Sequence, residues 1–162
     1  MYQLLRRTAM VFALLGGLAA ALVGCMTVAS IVSRALWSSP IQGDVELTQF
    51  GVALAISLCL PWCQLHGGNI IVDFFTLKAS ARQRRILDGI GALLLAAMVA
   101  LLAWRTGEGA ISVKEAGETS MIMGLPMWIV YAVLAPGFAL TGLIAIYQAI
   151  MHFLGRESEA LA

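Results

Sequence analysis

The chain has 162 residues, of which 60% are hydrophobic and only 12% charged, with a formal net charge of +1. A soluble domain of this size carries roughly 25% charged residues, so these charges are too few to cover a water-facing surface. The near-neutral balance also offers nothing that would hold nucleic acid. Length and composition predict a single all-α domain, residues 1–162, built into a membrane.

Arg6 and Arg7 precede a first apolar run over residues 8–32. Crossing a bilayer takes about 20 residues at 1.5 Å each, and backbone amides in lipid must be satisfied within the segment, which predicts a helix. Leu22-Val-Gly-Cys25 resembles a lipoprotein cleavage box, but a secretory h-region spans about 7–15 residues and this run continues past Cys25. The expectation is a retained helix. Its Gly16, Ala20 and Gly24 recur at four-residue intervals and would let another helix approach closely.

Ser38-Ser39-Pro40 and Gln42-Gly43-Asp44 then form turns, with Asp44 placed to cap a second helix over residues 47–65. Within it Cys59, Cys63 and His66 stand at i, i+4 and i+7, a spacing that would align three metal ligands on one face. Zinc needs a fourth partner, yet Cys25 lies within the first run and His152 in the last. Pro61 also sits between the two thiols. No metal site is expected there, and an apolar helix leaving the membrane accounts for the same letters. Gly67-Gly68 ends that helix. Asn69 can cap a short apolar stretch, residues 70–78, predicted to lie in the membrane interface.

Ser80-Ala-Arg-Gln83 reads as a capping box ahead of a third helix over residues 86–104. Ala92, Ala96 and Ala100 form a second small-residue stripe. The fourth helix, residues 125–154, carries a third stripe at Gly137, Thr141 and Ala145, with Pro126 in its first turn and Pro136 expected to kink it. Arg6, Arg7, Lys78, Arg82, Arg84, Arg85 and Arg156 flank one side of this plan, seven cations against Arg34, Arg105 and Lys114 on the other. The bias predicts that both termini and the middle connection are cytoplasmic.

The interiors of the four runs carry no ionisable group; Asp88, two residues past the start of the third, lies at its edge. An ion or proton path through the chain itself would need such a group. Phosphate-binding, serine-triad and zincin motifs are missing too, so no catalytic residue, cofactor or metal is assigned. His66 and His152 on two helices leave a haem- or quinone-bearing anchor of a redox complex as an alternative class. A small self-assembling carrier is a third.

Leu60-Pro-Trp-Cys-Gln64, followed by Gly68-Asn-Ile-Ile-Val-Asp-Phe74, resembles the DctQ-like small membrane subunits of tripartite ATP-independent periplasmic (TRAP) transporters. In that family the second run reads glycine, histidine, an aliphatic residue, any residue, valine, aspartate; here Val72 and Asp73 match and Asn69 replaces the histidine. Gly117-Glu-Thr-Ser-Met121, Leu125-Pro-Met-Trp128, Tyr131 and Pro136 extend the match. The resemblance implies a bacterial inner-membrane scaffold rather than an enzyme. It implies pairing with a large multi-helix transport subunit, supply by a periplasmic solute-binding protein, and a sodium gradient as the driving force. The residues it marks for partner or interfacial contact are Asn69, Asp73, Glu118, Pro126, Trp128 and Tyr131. The transported substrate is not encoded in any of them.

Overall fold

A computed structural model describes residues 2–38, 41–67 and 81–155. Four helices account for nearly all of them: α1 (Tyr2–Trp37), α2 (Asp44–Leu65), α3 (Ala81–Ala116) and α4 (Trp128–Leu154). All four are long and apolar enough to cross a membrane. Among the described residues the only β-type pairing is an isolated bridge between Thr119 and Pro126. The expected interfacial segment 70–78, with Asn69 and Asp73, lies outside the described residues.

The first three helices outrun the apolar stretches that predict them, while α4 starts at Trp128, three residues later than expected. At 36 residues each, α1 and α3 are about 54 Å long, well beyond a hydrocarbon core of about 30 Å. Helix formation does not stop where hydrophobicity stops, since Arg105, Glu108 and Lys114 are good helix formers and carry α3 onward to Ala116. Two expectations at helix starts are revised. Asp44 is the first residue of α2 rather than its cap, because Gly43 holds the cap position with φ 75°. Pro126 stands two residues ahead of α4, in the bridge with Thr119, so its missing N–H is spent in the connection and not in a helical turn.

The helices form an open row in the order α1, α2, α4, α3. α3 packs along α4 and α4 against α2. α2 packs along α1, whose first turns also reach α4 where Tyr2 meets Tyr147, and α3 touches neither α1 nor α2. Close approach at each seam rests on small side chains. A Cβ on Gly16 would lie 2.8 Å from Cys59 Sγ and 3.0 Å from the Ala55 carbonyl oxygen, and one on Gly137 would run into the Ser57 carbonyl. Gly142 faces the backbone of Ala96 and Ala100. Because α4 has a neighbour on each side, Gly137, Thr141, Gly142, Ile144, Ala145 and Ala149 are all buried. α1 buries only Ala9, Gly16 and Ser30.

Candidate functional site

The polar chemistry of the row is concentrated at its two ends. Take first the end at which α2 and α4 begin. Asp44 and Glu46 stand there just ahead of the uncharged, largely apolar run 47–65, outside the spanning segment. Ser30 Oγ on α1 donates to Asp44 Oδ2 at 2.5 Å, and Arg34 Nη2 lies 3.5 Å from the same oxygen. The Ser30 hydroxyl holds the Asp44 carboxyl below its ordinary value, against the opposing effect of desolvation. The Arg34 contact is exposed and adds little. One turn on, Thr48 Oγ1 meets Thr27 Oγ1 at 3.5 Å, which keeps α1 and α2 in antiparallel register.

Glu46 reaches the connection between α3 and α4. Its carboxylate accepts the backbone N–H of Ile122 at 2.9 Å and of Met123 at 3.2 Å. The Ile122 N–H is the chief reason its carboxyl sits below the usual glutamate range. The connection is further closed on itself: Ser120 N–H donates to the Leu125 carbonyl at 2.8 Å, Leu125 N–H to Ser120 Oγ at 3.1 Å, and Met127 N–H to the Glu118 carbonyl at 3.1 Å. Met123 packs on Gly43, where a side chain would have no room.

Of the residues marked from the sequence, Glu118, Pro126, Trp128 and Tyr131 come together around this connection. Trp128 lies under Lys114 of α3, with Nζ 5.1 Å from its ring centroid, and Tyr131 rests on Gly109. Both rings therefore tie α4 to the outer turns of α3. Glu118 contributes through its backbone and keeps its side chain exposed. Farther down the same stretch of α3, Arg105 and Glu108 pair at 3.2 Å on an exposed face.

At the opposite end a neutral clamp joins α2 to α4. Gln64 Nε2 donates to Gln148 Oε1 at 2.7 Å, and Gln148 Nε2 donates to the Gln64 carbonyl at 2.9 Å and the Leu65 carbonyl at 3.4 Å. The last carbonyls of a helix lack intrahelical donors, so Gln148 serves as a side-chain cap for α2. Both glutamines are buried, 7% and 5% exposed, which raises the value of each bond over a surface one. Beside them Ala9, Leu65 and Ile144 form the hydrophobic cluster, with Tyr2, Leu5, Trp62 and Leu140 packed on it. His152 Nδ1 is buried there with no hydrogen-bond partner among the described residues.

The Cys59, Cys63 and His66 spacing resolves into three separate environments. Cys59 Sγ points to the Ala13 carbonyl of α1 at 3.9 Å, Cys63 is exposed, and the His66 ring stacks on Trp62 with centroids 4.1 Å apart. Among the described residues no group of three or more histidine, cysteine or acidic side chains converges.

Sequence reasoning passed over Glu46 and the Gln64–Gln148 pair. A signal for the glutamines was present, since each is an amide set in an otherwise apolar run. Glu46 carried none, because an acidic residue in a first helical turn is ordinary.

Outside these clamps the row is apolar and uncovered. Leu14, Leu18 and Leu22 on α1, and Leu94, Met98 and Leu101 on α3, are more than half exposed. An open apolar groove lined by Ala21, Gly24, Cys25, Val28, Val32 and Trp37 runs along α1. No curated protein and no solved structure matches the chain. The model of one family, described as the DctQ component of tripartite ATP-independent periplasmic transporters, matches residues 23–155. That match takes in all of α2, α3 and α4, both clamps and the connection held by Glu46, and the chain belongs to the DctQ component family of these transporters.

Proposed function

We propose that this chain is the small scaffold subunit of a sodium-driven tripartite transporter in a bacterial inner membrane. It braces the fixed part of a large multi-helix transport subunit during uptake that depends on a periplasmic solute-binding protein. Both termini are then cytoplasmic, and the connection held by Glu46 is periplasmic. The observation that carries this reading is the open row. α1 leans almost wholly on α2, and α3 on α4 alone, and both leave long apolar faces uncovered, as suits a part that lies against a larger one. The buried polar groups inside the row point the same way. Ser30, Ser57, Gln64, Thr141 and Gln148 are all neutral, whereas a chain carrying ions or charged solutes keeps an ionisable group on the path.

Glu118, Trp128 and Tyr131, gathered at the periplasmic end in this orientation, are the proposed contacts to the partners. Alanine at Glu118 should reduce uptake, and unchanged uptake would remove it from the contact set. The reading as a whole is tested by a tag at the C-terminus, gentle solubilisation of native membranes, and mass spectrometry of what is retained. A large polytopic subunit is the expected companion. Recovery of the chain alone, or with redox subunits, would overturn the assignment.

A further inference from the structure

The connection between α3 and α4 has a tip, Met121-Ile122-Met123, that is unusual for a loop at a helix end. Met121 is 100% exposed, Ile122 63% and Met123 43%, and no charged residue occurs between Glu118 and Arg156. Exposed loop tips are ordinarily polar. This one is also not free to swing into water, because Glu46 holds the amides of Ile122 and Met123, and Met123 is seated on Gly43.

The height of the tip follows from those anchors. Glu46 is the last residue before the apolar run 47–65, and at about 29 Å that run is only just long enough to cross a hydrocarbon core. No part of it can be spared from the bilayer, so the membrane boundary on α2 falls at Glu46 and Leu47. The neighbouring helix sets a boundary no lower. Thr27 lies beside Thr48 and Ser30 beside Asp44, which puts Glu46 level with Val28 on α1. α1 stays without charge for another six residues to Arg34, about 9 Å nearer the water. The tip thus hangs beside α2 at or below the level where the adjacent helix leaves the apolar zone.

We infer that Met121 and Ile122 insert into the headgroup–acyl boundary of the bilayer, making the α3–α4 connection a lipid-facing wedge pinned by Glu46. Apolar side chains presented at that depth bury themselves among lipid by the same physics that seats interfacial helices, and Trp128 follows within the same segment as an interfacial ring. The inference rests on the chain crossing the membrane and is independent of the scaffold role.

The test is a depth measurement on the purified full chain, freed of its partners, in vesicles of phosphatidylethanolamine and phosphatidylglycerol. Met121→Cys, placed in a Cys25→Ser, Cys59→Ala, Cys63→Ser background, is labelled with a nitroxide and probed with oxygen and with a water-soluble nickel chelate. Leu18→Cys serves as the lipid-facing reference and Glu115→Cys as the aqueous one. The oxygen-to-nickel collision ratio at position 121 should exceed that at 115 severalfold and approach that at 18. A ratio like that at 115 would place the tip in water, and low access to both reagents would place it under protein; either overturns the inference. Should the cysteine-free background fold poorly, Met121→Trp in the native chain gives a second readout. Brominated lipids should quench its fluorescence beyond that of the parent, and no additional quenching would overturn the inference equally.

Discussion

Helices α1 and α4 are both long and strongly apolar, and each carries small residues at four-residue intervals, yet α4 buries Gly137, Thr141 and Ala145 while α1 buries Gly16 and leaves Ala20 and Gly24 exposed. Both stripes drift around their helix by the same rotation. Four residues turn a helix by about 400°, so a strict i+4 stripe drifts by about 40° at each step and by about 80° from Gly16 to Gly24. The contact line on α1 instead follows Ala9, Gly16, Val23, Thr27 and Ser30, in steps of seven, seven, four and three. What differs is position in the row. α4 has helices on both sides and buries Gly137, Thr141, Gly142, Ala145 and Ala149, while α1 packs along α2, meets α4 only near its N-terminus, and spends a single stripe. Small residues permit close approach, and the number of neighbours decides whether the permission is used.

The largest effect expected from this contrast comes at the α2–α4 seam. Gly137→Leu drives a side chain into the Ser57 carbonyl, which is backbone and cannot move aside. It should cost about 1–3 kcal/mol or more, read as loss of helicity at lower denaturing-detergent fraction by circular dichroism. If the variant unfolds like the parent, the seam is not held as described.

Next comes the glutamine clamp. Gln148→Leu removes the acceptor of the Gln64 side-chain amide and the donor to the Gln64 and Leu65 carbonyls inside a buried seam, at about 1–3 kcal/mol. Adding Gln64→Leu should recover part of that loss, because two apolar side chains leave fewer polar atoms stranded. A double-mutant cycle checks it, and strictly additive costs would show that the two residues do not act as a pair.

Glu46→Gln should act locally, speeding amide hydrogen exchange in residues 120–125 while leaving the seams intact. The pH dependence has a definite sign. A carboxyl whose folded pKa lies below its ordinary 4.5 contributes fully above that value and loses its contribution as pH falls further, through the lowered folded pKa. Protection of the connection in the parent, corrected for intrinsic rates, should therefore hold at neutral pH and fade only below 4.5. The variant should show no such step.

The smallest expected effect is the most useful control. Gly24 has nothing within 4 Å of where a Cβ would stand, so Gly24→Leu should change the stability of the isolated chain by no more than about 0.5 kcal/mol. A loss comparable to that of Gly137→Leu would break the comparison between the two helices. Normal stability with poor recovery of the large subunit would sharpen it, by showing that the outward side of α1 is used between chains.

The sequence by itself determined the number and type of the spanning elements. Charge scarcity and four apolar runs leave helices as the one solution, because backbone amides in lipid have no other partners. The match between those runs and α1 to α4 follows directly. It also carried the family, through local strings such as Leu125-Pro-Met-Trp128 that need no tertiary information. Helix ends were less legible. Hydrophobicity reports where lipid ends and not where hydrogen bonding ends, and α3 continues for 12 residues beyond Trp104.

Only the tertiary structure decided the order α1, α2, α4, α3, and with it which of three similar small-residue stripes would be buried. That choice depends on pairings between residues as distant as Gln64 and Gln148 or Glu46 and Ile122. Nothing local marks such partners: a glutamine or glutamate reads the same in sequence whether it faces water or holds another segment, and only the packed row brings the second half of each bond within reach.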